Sequence, residues 1–486
     1  MKLFSAQHQA ARTLVLLIIL LVLARLVSMA VLPLMDTTEA RYAEIARKMV
    51  VLGDWITPWA DDNLPFWGKP PLSFWLTAAT LFSFGVSEFS ARIPHFLCAL
   101  FIGFLVWDMA LRQEGRRTAV LAISVLAGSA LFLVSSGAVM TDMALVLGTT
   151  AALYGFWTGI HGSTSSARSN GSLIFFVGLA IGLLAKGPLV LVLAGLPISL
   201  WILLERRWKT VLTGIPWISG ILLVAVLVLP WYWFAEQKTP GFLDYFLIGE
   251  HFKRFVEPGW TGDLYGRAHN FPLGTIWLFA LIAFLPWPFT FLVVKWESRG
   301  KQVEARDRSW VRYTLLWALM PLVFFTASRN IIWTYALPSL PAASLFMGGW
   351  LAARSRRAEL WVAGGLAIMF ALTVGAGAGA MFFPHLLDGA TAKAVSVAYL
   401  GRRQSGETLY FLQSRPFSAS FYSENAARQL RPEELESALS GKSGFIAYPK
   451  NAQPPKLPSG VVEEPAGDYG RFRLLRVHRI DQLPRR

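Results

Sequence analysis

The sequence predicts a mostly α protein: a polytopic transmembrane helical bundle with a helix-bearing first loop at its outer surface and a small C-terminal α/β soluble domain. Three observations carry that prediction. Hydrophobic residues fill 54% of the 486 positions and charged residues only 15%, a balance foreign to a water-solvated globule of this size. Apolar runs near the spanning length recur through residues 1–383. From Pro384 onward those runs stop and short alternating segments take over.

The apolar runs fall at about 13–34, 93–111, 118–136, 142–160, 172–185, 188–204, 211–232, 272–294, 310–327, 332–352 and 358–383, which is eleven. The first follows Lys2 and Arg12 and exceeds a signal-peptide core, so it reads as a retained helix, although Ser28-Met29-Ala30 weakly resembles a cleavage site. Pro188, Pro216, Pro230, Pro286 and Pro288 imply kinks or broken ends. No internal repeat is present.

Orientation follows from the basic residues of the short connections. Arg112, Arg116 and Arg117 share a side with Arg206, Arg207, Lys209, Lys295, Arg299, Lys301, Arg306, Arg308, Arg354, Arg356 and Arg357. That side is expected to be cytoplasmic, which puts the N-terminus inside. The two longest loops, 35–92 and 233–271, and the C-terminal segment 384–486 then lie outside. The net charge of +15 reads as orientation and contact with anionic membrane lipids; no basic stripe with interleaved aromatics points to nucleic acid. The cytoplasmic connections are too short for an ATP-binding domain and carry no P-loop, which excludes a nucleotide-driven pump.

In the 384–486 segment, ETLYFL, FSASFYS, SGFIAYP and YGRFRLLRVH read as strands, and RPEELESAL, opened by Pro432, as a helix. The single cysteine, Cys98, sits in an apolar run, so this domain is expected to fold without disulfides.

Ionisable residues gather in the outer loops. In PLMDTTEARYAEIARKM, Asp36, Glu39 and Glu44 lie close to Arg41, Arg47 and Lys48, and Glu39 and Tyr42 share a helical face. A carboxylate there can orient or deprotonate an attacking hydroxyl while an arginine neutralises an anion. The same pattern also fits a solvated amphipathic helix. Lys69, in PFWGKPPLSFW, precedes two prolines that open an apolar run. A cation at a helix start is disfavoured by the dipole unless an anion lies against that end. Lys186, in LLAKGPLVL, repeats the placement before Pro188. Snorkelling to headgroups is the plainer account of each lysine. GEHFKRF supplies Glu250, His251, Lys253 and Arg254; His251 fits a metal ligand, a phosphate donor or an interfacial histidine. Asp142, in GAVMTDMAL, begins a run, where an acid also simply satisfies the dipole. Arg329 and Tyr335 stand where another helix enters.

Acids beside cations on one outer face suit group transfer from a phosphorylated, membrane-borne donor. Activated soluble sugars and ATP are cytosolic, so an outward-facing transferase needs its group delivered on a lipid. The ordered set EARYAEIARKM, GDWITPW, PFWGKPPLSFWL, FGVSEFSARIP, MTDMAL, LLAKGPL, EHFKRF and TYALP resembles the polyprenyl-phosphate-dependent GT-C glycosyltransferases, specifically the bacterial aminoarabinose transferase group related to protein O-mannosyltransferases. The resemblance is strongest over residues 30–100.

The resemblance implies an inner-membrane enzyme with periplasmic surface helices, a periplasmic C-terminal domain and commonly thirteen spans, giving a range of 11 to 13. It implies an undecaprenyl-phosphate sugar as co-substrate and lipid A, another lipopolysaccharide component or protein as acceptor. Lys69 matches the lysine of a Glu-Lys-Pro motif that contacts the donor phosphate, and Arg41, Lys186, His251 and Tyr335 fall in motifs lining the same cavity. Two departures stand out. The family wording Asp-Glu-x-Arg-Tyr is Thr38-Glu39-Ala40-Arg41-Tyr42 here, with Asp36 nearby, so the principal acid is Glu39 or Asp36. Gly68 replaces the motif glutamate and cannot ligate, so no metal ligand is assigned and a divalent-metal requirement stays open.

The expected mechanism places the departing phosphate on Lys69 with Arg41, Lys186, Arg254 and His251, assigns Glu39, Asp36 or, further out, Asp142 as the acid, and lets Tyr42 and Tyr335 contact substrate. A protein O-glycosyltransferase with the same donor and a lipid-linked sugar transporter are the alternatives.

Overall fold

The computed structural model describes residues 2–257, 259–266, 269–299, 306–355, 357–439 and 443–479; Lys301 and Arg356 of the basic connections lie outside the described residues. Among them, seven helices are long and apolar enough to cross a membrane, or eight if one bent pair counts as a span. The expected eleven to thirteen are therefore not all recovered as single long helices, and prolines and glycines are the reason. The expected run 272–294 is two helices, Thr275–Ala283 and Trp287–Glu297, bent by 80° at a break that holds Pro286. Runs 93–111 and 118–136 merge into one 40-residue helix, Glu88–Ala127, interrupted at Gly115 by a non-helical backbone with φ 85°. The break at Gly115 divides it into two helical segments, before and after that residue, in keeping with two of the expected runs. Leu189–Glu205 stops at 17 residues.

Bilayer-facing surface is evident in side chains that no protein covers. Ile218, Leu222, Val226 and Leu229 of Trp217–Lys238 stand open, as do Leu360 and Leu372 of Ala358–Phe382, which fits lipid as their solvent. The interior is aromatic and close-packed around Trp157, Trp201, Trp310, Tyr313 and Trp317.

The two ends of the bundle differ. At one end Arg117 pairs with Glu359 at 2.7 Å and donates to the Ala352 and Ser355 carbonyls, Arg306 pairs with Glu114 at 2.5 Å, and Arg312 with Glu205 at 2.9 Å. These contacts gather the basic connections into one layer. At the other end lie the first loop, the 239–271 segment and the C-terminal domain.

The first loop is built from helix Thr38–Leu52, the hairpin of β1 (Trp59–Asp61) and β2 (Leu64–Pro65), and helix Leu72–Phe84. Helix Thr38–Leu52 is not solvated. Glu44, Arg47 and Lys48 are buried, Arg47 holding both Glu44 oxygens at 2.7 and 2.9 Å. The C-terminal domain covers this region, with Arg428 and Asn425 reaching Asp62 and Arg415 reaching Asp61.

That domain is a five-stranded sheet ordered β4-β3-β5-β7-β6, from β3 (Thr408–Leu412), β4 (Ala427–Leu430), β5 (Gly444–Pro449), β6 (Val461–Tyr469) and β7 (Phe472–Arg479). β3 pairs in parallel with β4 and β5, and β7 runs antiparallel to β5 and β6. Its α/β character is as expected, with one correction. FSASFYS is a helix, Phe417–Tyr422, with Ser418, Ala419, Ser420 and Phe421 buried. Its small side chains let it lie close on helix Thr38–Leu52 and the strand to its side, a tertiary preference that overrides alternation. RPEELESAL forms a 3₁₀ turn, Pro432–Glu434, and a short helix, Leu435–Ala438.

Candidate functional site

A cavity of about 470 Å³ opens beneath the C-terminal domain, between the first loop and the mouths of the membrane helices. Each charged group reaches it for a local reason. Asp142 is the first residue of helix Asp142–His161, and Lys186 the last residue of its neighbour Ser165–Lys186. Both charges complement their own helix dipoles, and the two side chains form an ion pair at 2.7 Å. The hairpin that joins these helices is packed through bare backbone. A side chain on Gly148 or Gly178 would strike the facing helix, and the same holds for Gly155 and Gly171. Close approach over about two turns thus brings the outer ends, and the pair, together. Lys186 Nζ also lies 5.0 Å above the Tyr335 ring.

Lys69 arrives from the turn after β2. Its ammonium donates to Glu250 at 2.9 Å and to the Gly68 carbonyl. The helix after it starts at Leu72 with Pro71 as cap, as the proline pair implied. Glu250 stands on the π-helical stretch Asp244–Lys253. Arg254 reaches its two oxygens at 2.8 and 2.9 Å, and Asp263 at 3.4 Å. Burial alone would raise the Glu250 carboxyl, but the charges of Lys69 and Arg254 outweigh it and hold the group at about 2. For Arg254, burial works to lower the pKa and is overcome by Glu250, Tyr335 and Asp263, leaving it above the ordinary arginine value. Arg41 donates to the Tyr265 carbonyl at 2.6 Å and lies over Tyr42, Phe66 and Phe417. Tyr42 and Tyr335 both border the cavity.

A second cavity of about 190 Å³ adjoins the first. It shares Lys69, Lys186, Glu250, Arg254, Asn330 and Tyr335 with it, then continues along Leu189, Val192, Phe255, Phe324 and Phe325. The shared wall therefore separates a polar chamber from an apolar slot between helices Leu189–Glu205 and Arg308–Thr326. An amphiphile with an anionic junction between a polar head and an apolar tail matches that sequence of environments.

The sequence-named residues divide into two groups. Lys69, Arg41, Lys186, Arg254, Asp142, Tyr42 and Tyr335 converge on the cavity. Asp36, Glu39 and His251 do other work. Asp36 accepts from the Ser418 amide at 2.8 Å and from the Ser418 hydroxyl at 2.6 Å. Glu39 receives Arg92 at 2.8 Å on each oxygen, and also the Met35 and Val139 amides. Neither acid borders the chamber. His251 borders only the slot, and both ring nitrogens face carbonyls, Phe246 O at 2.7 Å and Lys186 O at 3.0 Å. Burial lowers its pKa against the pull of those two acceptors. With Gly68 lacking a ligand atom and His251 so engaged, this corner does not fit a metal; among the described residues no three of His, Cys, Asp and Glu converge.

The chamber also uses residues the sequence did not single out as a set: Glu250 as counter-ion, and Thr38, Asp263, Tyr265, His269, Asn330 and Phe417 as lining. Glu250 stood in the GEHFKRF cluster, but its partner Lys69 is 181 positions away. Thr38 occupies the place of the family's first acid and faces the chamber, whereas Phe417 comes from the C-terminal domain.

Residues 7–246 match the family model described as dolichyl-phosphate-mannose-protein mannosyltransferase. Curated relatives named undecaprenyl phosphate-alpha-4-amino-4-deoxy-L-arabinose arabinosyl transferase include that of Edwardsiella ictaluri, 29% identical over 64% of this chain and 54% of the relative. That of Shewanella sediminis is 31% identical over 66% and 56%. The chain thus spans about half the length of the curated relatives it matches. The crystal structure of ArnT from Cupriavidus metallidurans bound to undecaprenyl phosphate superposes with TM-score 0.80 at 19% identity, covering 95% of this chain and 97% of that one. Its apo state gives 0.77. At that identity the likeness is one of fold.

Proposed function

We propose that the chain is a polyprenyl-phosphate-dependent GT-C glycosyltransferase of the aminoarabinose transferase kind, a reading supported by its likeness to such proteins, and that it works as an inner-membrane transferase. It moves 4-amino-4-deoxy-L-arabinose or a related sugar from an undecaprenyl-phosphate carrier to lipid A or another envelope acceptor at the periplasmic face. The observation that carries this reading is the cationic wall of Lys69, Lys186 and Arg254, shared by a polar chamber and an apolar slot.

In this reading the carrier's phosphate rests on that wall, its sugar in the chamber and its prenyl tail along Leu189, Val192 and Phe324. Cleavage of the sugar–phosphate bond leaves a full negative charge on the departing oxygen, and Lys69 and Arg254 meet it. Their partner Glu250 keeps both cations positioned beforehand, so little reorganisation accompanies the reaction. Arg41, held over three aromatic rings, is the further cation at the chamber side. Of the three acids named from sequence, Asp142 borders the chamber, and it orients or deprotonates an acceptor hydroxyl there. An acceptor that is itself a phosphate needs little base. Glu39 and Asp36 act through the frame that carries Arg41 and Tyr42.

The periplasmic side is assigned from the basic layer at the opposite end. Mass spectrometry of lipid A, core glycan and periplasmic glycoproteins from cells with the chain, without it, and with Lys69→Ala tests the whole reading. Loss of one glycan modification in both deficient strains is the expected result, and identical profiles in all three overturn it. Loss from protein instead of lipid A favours the mannosyltransferase-like alternative, for which the family match over residues 7–246 speaks.

A further inference from the structure

Apart from the slot just described, helix Lys2–Val31 lies against helix Glu88–Ala127 and leaves a groove beside their contact. The groove has two parts. Near the basic layer, a cavity of about 720 Å³ is walled by Val15, Leu16, Ile19, Trp107 and Val120 and rimmed by Arg12, Arg116 and Arg117, with Glu359 the one acid on its lining. Glu359 is spent on Arg117, at 2.7 Å. Arg12 and Arg116 are exposed, and no carboxylate pairs with either among the described residues. Deeper in the bilayer, a second cavity of about 290 Å³ continues past Ile18, Leu21, Leu100 and Phe104, and Trp107 borders both parts.

We infer that this groove is a binding site for an anionic glycerophospholipid of the leaflet at the basic end. Its phosphate lies between Arg12 and Arg116, and an acyl chain runs past Trp107 into the deeper part. Charge complementarity selects the occupant. Two unpaired guanidinium groups at a headgroup depth attract anionic lipid, each contributing roughly fivefold in affinity near a membrane surface. A zwitterionic lipid carries no net charge to meet them. The apolar depth of the groove suits a chain and not a soluble anion: its walls are mostly aliphatic and aromatic, and the guanidinium of Arg25 at its far end is turned to Ser28 and the Val134 carbonyl at 3.1 and 2.6 Å. None of these residues borders the transfer chamber, so the inference stands apart from the proposed reaction.

The test uses the full chain in phosphatidylcholine nanodiscs containing a fixed fraction of lipid brominated on its acyl chains, either phosphatidylglycerol or phosphatidylcholine. The contribution of Trp107 is read as the difference in fluorescence quenching between the chain and Trp107→Phe, because the protein has 20 tryptophans. The anionic brominated lipid should quench Trp107 at a fraction where the zwitterionic one does not. Arg12→Ala with Arg116→Ala should raise the fraction needed by about 25-fold, while Arg12→Lys with Arg116→Lys should largely preserve it. Equal quenching by both lipids, or quenching by phosphatidylglycerol that survives the double alanine change, overturns the inference.

Discussion

Lys69 is expensive to leave unpaired and easy to redirect. Its side chain is four-fifths buried and its ammonium bonded to a Glu250 that is almost wholly buried, so removing it leaves Glu250 to Arg254 and a long bond from the Tyr245 hydroxyl. Lys69→Ala should lower transfer by 100-fold or more, the scale seen when one preorganised charge partner of a transition state is lost, while membrane insertion is retained. A steady-state assay with purified lipid donor, read beside size-exclusion behaviour, checks both halves. Glu250 carries the matching pH prediction. Its folded pKa, about 2, lies below the ordinary 4.5, so the stability it supplies is complete above pH 4.5 and disappears as pH falls toward 2. The melting-temperature gap between the chain and Glu250→Gln should be full at pH 7, smaller at pH 3.5 and nearly closed at the acid limit; a gap that is constant with pH rejects the ion-pair role. Glu39 separates frame from chemistry. Arg92, buried, also donates to the Met29, Leu32 and Pro33 carbonyls, and Glu39→Gln removes its countercharge. A buried pair broken on one side costs about 3–5 kcal/mol, so this variant should melt earlier; Asp142→Asn breaks the equally buried pair with Lys186 and should also melt earlier, but it should lose transfer well beyond what Glu39→Gln loses. Thermal unfolding in detergent beside the transfer assay distinguishes the two.

At the scale of elements, the helical hairpin Asp142–His161 with Ser165–Lys186 sets the distance between the chamber's acid and its lysine. Gly148, Gly155, Gly171 and Gly178 sit seven apart on each helix, and each faces the partner's backbone, the small-residue packing that membrane helices use in place of a hydrophobic drive. Gly155→Leu has no space to enter and should force the helices apart, at about 1–3 kcal/mol or more. Expression and melting temperature should fall, and transfer should fall further as Lys186 withdraws from Asp142. The seven-residue glycine spacing was visible in the chain and is the signal that could have located this hairpin from sequence. What could be read directly was local: prolines at helix starts, acids at N-termini, basic connections. The same proximity logic failed where partners are distant. FSASFYS alternates like a strand, yet packing against helix Thr38–Leu52 makes it helical. Asp36 and Glu39 share a motif with Arg41, yet their partners are Ser418 and Arg92, neither of which the motif contains.

For the molecule as a whole, the C-terminal domain is part of the chamber. Phe417 lines it and lies under Arg41, and the residue after it, Ser418, clasps Asp36 through its amide and hydroxyl. Around that clasp, Tyr422 receives the Leu34 amide and donates to Glu88, and Lys393 reaches Glu88 at 2.5 Å. The strand-like stretch between the first membrane helix and helix Thr38–Leu52 is thus fixed by the domain from above and by Arg92 from below, and Arg41 and Tyr42 follow from it. A domain that only stabilised the fold would, when loosened, cost melting temperature in proportion to activity. A domain that positions Arg41 gives a different pattern. Ser418→Ala keeps the amide bond to Asp36 and loses the hydroxyl bond to a charged acceptor, about 1.5–3 kcal/mol, together with the bond the hydroxyl accepts from the Ala392 amide at 2.8 Å. Its effect should appear as a drop of about tenfold in kcat with KM for the lipid donor little changed, because the cationic wall of Lys69, Lys186 and Arg254 does not touch the clasp. Asp36→Asn, which can still accept from Ser418, should recover most of the loss seen in Asp36→Ala. Equal activity in Asp36→Asn and Asp36→Ala, or a KM that rises while kcat holds, would show that the domain governs donor binding and not the placement of the chamber's first loop.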